Sequence, residues 1–372
     1  MFKNLTLYRI GADWSATVDH MEAALQPARF IECGATQEKS VGWIEPRGEK
    51  HGALVESVGG QRILKLQIET KAVPAAVVKR KAQEQIDHIE ATTGRKPGKR
   101  EIKDLRDDAR LALLPMAFTK QSSVWVWIDP ASRLLMTDAG SQAKTDEVIT
   151  ALVSALPGLP LTLLQTTVSP QTAMTQWLVA ESPQDWPPRL SVERECELKS
   201  NDEEKSVVKF TRHNLLNDEI RHHVTQGKLP VKLALSWDGR VAFVLTEALQ
   251  LKKIGFLEGV FEGSGADHED GFDADVAIVT GELGRLIPDL IEALGGELPA
   301  SAPAVTVGGI TPPVAQQVPL AMQASTRCRL SSRRSTKPLS ISWRSLRETG
   351  TTLSGAQLPG ALATTDIVAK PL

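Results

Sequence analysis

The sequence predicts an α+β protein: a sheet domain with a helical hairpin looped out of it, then a second α+β unit. Three observations lead there. Short apolar runs punctuated by turn residues lie on both sides of residues 74–115 and resume near Leu190. Between them, apolar residues recur in steps of three and four at Val78, Ala82, Ile86 and Ile89, and again at Ile102, Leu105, Ala109 and Leu113. Those steps place each set on one face of a helix. A third helical period closes the second unit through Val276, Val279, Leu283, Ile287, Leu290 and Leu294. Strands before and after an inserted helical pair fit one sheet with a projecting arm. The expected organisation is a central domain of residues 1–73 and 116–168, a helical tip of 74–115, a base domain of 169–297 and a tail of 298–372.

In order, Asn4–Ile10 reads as a strand, Ser15–Leu25 as a short amphipathic helix and Val41–Glu45 as a second strand. Ala53–Val58 and Gln61–Ile68 flank Gly59-Gly60, a two-residue hairpin signal. Leu64, Leu66 and Ile68 share a face of the latter strand. Pro74 suits a first helical turn, Gly94, Pro97 and Gly98 punctuate the hairpin, and Pro115 stops its second helix. Each helix has one narrow apolar stripe, enough to pair the two but too little for a core of its own. Ser123–Ile128 and Arg133–Thr137 read as paired strands around Asp129-Pro130, followed by a helix at Gln142–Ala155 and a strand at Leu161–Leu164.

A boundary is expected in Ser169–Pro188, which mixes a short helix containing Trp177 with three prolines. Strands follow at Leu190–Leu198 and Ser206–Phe210, then a helix capped by Asn217 and ended by Gly227. Three more are expected at Val231–Ser236, Val241–Thr246 and Leu251–Phe256. Pro288 inside the closing helical pattern predicts a kink or break, and Gly295-Gly296 ends it. From Leu298 the chain turns rich in Pro, Ser, Thr, Ala and Gly, and a mostly disordered, basic tail is expected.

Composition bounds the function. The chain has 372 residues, 41% hydrophobic and 24% charged, with formal net charge −2. Any nucleic-acid binding must therefore come from local patches. No apolar run approaches the roughly 20 residues that span a bilayer, and the N-terminus lacks a signal-peptide pattern. Cys33, Cys196 and Cys328 have no paired spacing, which fits a reducing cytoplasm without disulfides or a zinc motif.

The arm carries the candidate binding residues. Lys79, Arg80 and Lys81 sit near its root, and Arg95, Lys96, Lys99 and Arg100 cluster at its turn with Glu101 the acid close by. A helix of about 18 residues would hold that cluster about 27 Å from the root. Any one of these residues reads better as part of a solvated face of mixed charge, since Glu84, Asp87, Glu90, Asp104, Asp107 and Asp108 are also present. The turn cluster as a unit is the better candidate for phosphate contact. Phe118, between Pro115 and Lys120, is either core at the arm's root or an aromatic anchor for a partner subunit.

Catalytic signatures are sparse. There is no G-x-x-x-x-G-K-[ST], G-x-S-x-G, H-E-x-x-H or C-x-x-C run. His222-His223 are neighbours on a helix and point about 100° apart, so they do not chelate. Asp267, Glu269, Asp270, Asp273, Asp275 and Glu282 could hold Mg²⁺ for a nuclease. The competing reading is an acidic loop beside a helix N-terminus, favoured because no further motif completes a catalytic set.

Several stretches together resemble a known family. They are FKNLTLYRI at the start, Cys33-Gly34 with Gly42-Trp43, the LLPMAF step at Leu113–Phe118, Leu233–Asp238, and FDADVAIVTGELGRLIPDLIEALGGE from Phe272 to Glu297. In order and spacing the chain is similar to the bacterial recombination-associated RdgC proteins over about Phe2–Glu297. The resemblance implies a ring-shaped head-to-head homodimer, with tips meeting at one contact and bases at another. Double-stranded DNA would pass through the hole without sequence preference. The implied role is to oppose the RecA recombinase from the cytoplasm, associated with the nucleoid, with no catalytic residues, cofactor, metal or membrane involved.

By the same resemblance Phe118 matches the phenylalanine docked at the tip contact. Arg212 stands where the family has a lysine at the base contact, and His213 where it often has glutamine. Arg95 matches a basic residue near the tip. The expected DNA contacts are then Lys79, Arg80, Arg95, Lys96, Lys99, Arg100 and Lys120. Two alternatives of other classes stand beside this one: a Mg²⁺-dependent nuclease using Asp273, Asp275 and Glu282, and a direct protein inhibitor of the recombinase.

Overall fold

The computed structural model describes residues 1–261 and 271–298. Twelve strands form one sheet in which every pairing is antiparallel. They are β1 (Leu5–Ile10), β2 (Lys39–Ile44), β3 (Glu56–Val58), β4 (Gln61–Ala72), β5 (Phe118–Asp129), β6 (Leu134–Thr137), β7 (Leu161–Leu163), β8 (Leu190–Ser200), β9 (Val207–Thr211), β10 (Lys228–Trp237), β11 (Val241–Thr246) and β12 (Gln250–Phe256). The spatial order is β2-β4-β5-β6-β1-β12-β11-β10-β8-β9, with β3 beside β4 and β7 beside β1. The N-terminal strand thus joins the two halves, pairing with β6 on one side and with β12 through Leu5–Leu251 on the other.

Helices α1 (Val18–Leu25), α4 (Gln142–Ala155), α5 (Pro170–Val179), α6 (Asp218–Thr225) and α7 (Gly271–Ala293) are distributed over its faces. Strand alternation explains the two cores. Tyr8, Ile10, Leu64, Leu66, Ile68, Val124 and Val126 pack with Met21 and Leu25 of α1 and Val148 and Leu152 of α4. Leu5, Leu7, Ile63 and Trp127 point the other way, into a core with α5, α7 and strands β8–β12. All six apolar positions that predicted the last helix are buried.

Two expectations are corrected here. Of the kink or break expected at Pro288, the break does not occur, because α7 runs through it. Proline removes one hydrogen bond and costs about 3 kcal/mol in a helix interior. The neighbouring Leu283, Leu286, Ile287 and Leu290 are all buried, and each contributes about 1.5–3 kcal/mol. Packing outweighs the defect. Strand β5 also begins five residues before the expected Ser123, at Phe118. After the exposed Phe118, residues Thr119–Ser123 are all polar, so no alternation marks them, yet the pairing with β4 reaches Ala72–Phe118.

That β4–β5 ribbon carries the arm, α2 (Ala75–Thr93) and α3 (Lys99–Leu113). Ala82 and Ala109 are its two buried helical residues, small enough to bring the axes close. Gly94 takes φ +69° and donates its N–H to the Glu90 carbonyl at 2.9 Å, closing α2. At the far end of the chain, Val168 N–H donates to Leu294 and Thr167 N–H to Gly296, both at 2.9 Å. Arg9 reaches Glu297 with both its Nε and Nη2. Of the expected disordered tail, Leu298 alone falls within the described residues.

Candidate nucleic-acid interface

The hairpin turn presents its cations unevenly. Arg95 donates twice to Glu101, at 2.8 and 3.0 Å, and that carboxylate raises its pKa. Lys96 lies 3.5 Å from Glu90. Lys99 and Arg100 are exposed and have no acidic partner among the described residues. Lys79 and Arg80 on α2 and Lys120 on β5 are likewise exposed and unpaired. Five of the seven expected contacts are thus free cations. Arg95 and Lys96, two of the four cations at the turn, already have carboxylates of their own. Their acidic partners lie six residues away along the chain, so the compensation arises from the geometry of the turn.

Phe118 opens β5 with 89% of its surface exposed. It is not core at the arm's root, because the ribbon there is two strands wide and no helix covers it. Met116 and Leu111 nearby in sequence are exposed as well. Arg212 follows β9 in a left-handed conformation, φ +55°, with an exposed side chain. It borders a groove over the sheet, together with Glu193, Glu195, Ala234 and Lys253. His213 is held in place: its Nδ1 lies 2.8 Å from the Asn214 carbonyl and its ring 5.5 Å from that of Phe210.

These two sets of residues are not brought together. Seven strand steps separate β5 from β9 along the sheet order, which at about 4.8 Å each is about 34 Å. One subunit therefore offers an exposed aromatic toward one end of the sheet and an arginine at its far edge.

The carboxylates proposed for a nuclease do not converge. Arg47 binds Asp273 as well as Glu56. Glu282 is buried and accepts from Arg240 twice and from Arg285, and the Arg240 guanidinium holds its carboxyl below the usual range. Asp275 is exposed and lies two turns of α7 before Glu282, about 10.5 Å along the axis. No group of three His, Cys, Asp or Glu side chains among the described residues is arranged to hold a metal. Asp267, Glu269 and Asp270 lie outside the described residues. No local pattern warns of the stack that ties α7 to the sheet. Arg47 lies over the Phe272 ring at 4.8 Å, Phe272 lies against Trp125 at 6.3 Å, and Lys65 over Trp125 at 4.4 Å. These contacts join residues from four separate stretches of sequence.

Comparison with known proteins places this architecture. A family model described as "Putative exonuclease, RdgC" matches residues 1–297. The chain belongs to the RdgC family. A protein of Dechloromonas aromatica named recombination-associated protein RdgC is 42% identical over 303 residues. One of Herminiimonas arsenicoxydans with the same name is 39% identical over 299 residues. In both cases the match covers 80% of this chain and 98% of the relative. These relatives are thus named for recombination, and the family match ends at Glu297, the residue Arg9 of β1 reaches. No described helix is long and apolar enough to cross a membrane.

Proposed function

We propose that the chain works as a homodimeric ring that admits double-stranded DNA without sequence preference and opposes the RecA recombinase by occupying that DNA. In this reading residues 1–73 and 116–168 form the central domain, 74–115 the tip and 169–297 the base, and the protein acts in the cytoplasm at the nucleoid. Phe118 carries the proposal. A phenylalanine 89% exposed on a two-stranded ribbon has no role within its own subunit. Across a two-fold axis the same residue would be offered twice. A groove at the hairpin root, lined by Val73, Ala75, Val78 and the stems of Lys79, Arg106 and Arg110, is the seat we assign to it. Arg212 and His213 supply the second contact. Lys79, Arg80, Lys99, Arg100 and Lys120 supply phosphate contacts without base readout, which yields sequence-independent binding.

A topological experiment tests this. Protein loaded on a closed circular plasmid should stay bound through a high-salt wash and leave when the plasmid is linearised. Equal loss from circle and linear form would refute encirclement. The same preparation separates occupation from direct inhibition. Excess duplex should relieve an inhibitor that works by occupying DNA, and would not relieve one that binds the recombinase itself.

A further inference from the structure

A second charged site lies away from the arm. The end of β1 (Ile10), the loop leading to α1 (Ala12, Trp14, Ser15, Ala16), the start of β4 (Arg62) and the β5–β6 turn (Pro130, Arg133) enclose a cavity of about 200 Å³. Two arginines line it, and neither has a carboxylate partner among the described residues. Arg62 is half-buried. Among the described residues its side chain's hydrogen-bond partner is the Met21 sulfur at 3.3 Å, a weak acceptor. Burial pushes its pKa down. A guanidinium withdrawn from water with most of its donors unused is costly unless an anion supplies the acceptors.

The walls are fixed in advance. Asp129 accepts from Ala131 N–H, Ser132 N–H and the Ser132 hydroxyl, which shapes the turn carrying Arg133. The Arg133 carbonyl receives the Ile10 N–H at 2.9 Å, and its own backbone sits at φ +53°. On the other wall Gly11 N–H donates to the Pro160 carbonyl, and a Cβ at Gly11 would fall 2.5 Å from the Pro160 ring. The nearby Arg9 is neutralised by Glu297 and takes no part.

We propose that this cavity binds a phosphomonoester. Two uncompensated guanidiniums match the −1.5 to −2 charge of a phosphomonoester at pH 7, roughly twice that of a carboxylate or a bridging phosphodiester. Their forked donors fit its oxygens, and the Ser15 hydroxyl adds another donor. Trp14 offers a ring against which a base can stack. The ligand is a nucleoside monophosphate or the 5′-phosphorylated end of a single strand, which present the same group. The site is independent of the ring reading, since none of its residues belongs to either proposed dimer contact.

Calorimetric titration of the full chain tests this with inorganic phosphate, dAMP and deoxyadenosine. dAMP and phosphate should bind and deoxyadenosine should not. Arg133→Gln, at an exposed position, should weaken dAMP about tenfold or more, and so should Arg62→Gln, while retention on circular plasmid is unchanged. Fluorescence anisotropy of a short single strand then separates the sources. Preference for a 5′-phosphate over a 5′-hydroxyl end assigns the site to strand ends, and equal binding assigns it to free nucleotides. Absence of dAMP binding, or dAMP binding that Arg133→Gln leaves unchanged, overturns the proposal. Should Arg62→Gln fail to fold, Arg133→Gln decides alone.

Discussion

Replacing Phe118 with serine removes an exposed side chain, so the isolated subunit should fold and melt as before, within about 0.5 kcal/mol. Its effect should appear in association. Burying a phenylalanine fully contributes about 1.5–3 kcal/mol. A two-fold contact made by residues 89% exposed in the subunit engages two of them, about 3–6 kcal/mol in all. At about 1.4 kcal/mol per tenfold, the closure constant of the tip contact should fall by roughly 10² to 10⁴. Sedimentation velocity at micromolar concentration would detect the weakened dimer, and anisotropy with a duplex would show DNA affinity falling with it. A variant with unchanged dimer lifetime and unchanged DNA affinity would refute the assignment of Phe118. A drop in melting temperature of the monomer would show instead that the side chain packs within its own subunit.

Other outcomes follow from the same geometry. Lys99→Gln with Arg100→Gln should weaken binding to unrelated duplexes equally and flatten the log–log salt slope by about 0.9 for each lost phosphate contact. Arg95→Gln should do less, because Arg95 is already paired with Glu101; a loss confined to one sequence would contradict backbone binding. Leu283→Ala, at a fully buried site in α7, should cost about 2–5 kcal/mol in urea unfolding. Asp138 is half-buried, and desolvation raises its pKa although it accepts from the Lys3 and Asn4 N–H groups. A raised carboxyl binds its proton more readily folded than unfolded, so it withdraws stability as pH rises from the unfolded pKa through the folded one. Asp138→Asn keeps the acceptor. It should raise the melting temperature at pH 7 and leave it nearly unchanged at pH 3.

Much of the fold is visible in local pattern because its segments obey one period each. The stripes at Val78–Ile89 and Ile102–Leu113 became α2 and α3, and Val276–Leu294 became the buried face of α7. What local pattern misses is distant. Nothing near Leu5 announces that its partner is Leu251, or that Arg47 will meet Phe272. In β5 the stretch Thr119–Ser123 is an unbroken polar run, so it lacks the alternation by which strands are read. The candidate site divides the same way. Lys99 and Arg100 could be picked out by charge alone. That Arg95 is compensated depends on how Gly94 and Gly98 bend the turn, which brings Glu101 back to it. Phe118 needed the structure most, since residue type alone favours burial.

The position of β1 also sets a clock. A strand made first, yet flanked on one side by β12, waits for Leu251 before its ladder is complete, and Arg9 waits for Glu297. At 5–20 residues per second, synthesis from residue 5 to residue 251 takes about 12–50 s. During that interval the second core lacks its C-terminal strands, and the Leu5–Thr6 stretch of β1 stands without its β12 partner while β7 covers Tyr8–Ile10. A chain built this way folds its centre last, and it needs the nascent edge sheltered until its own C-terminal half arrives.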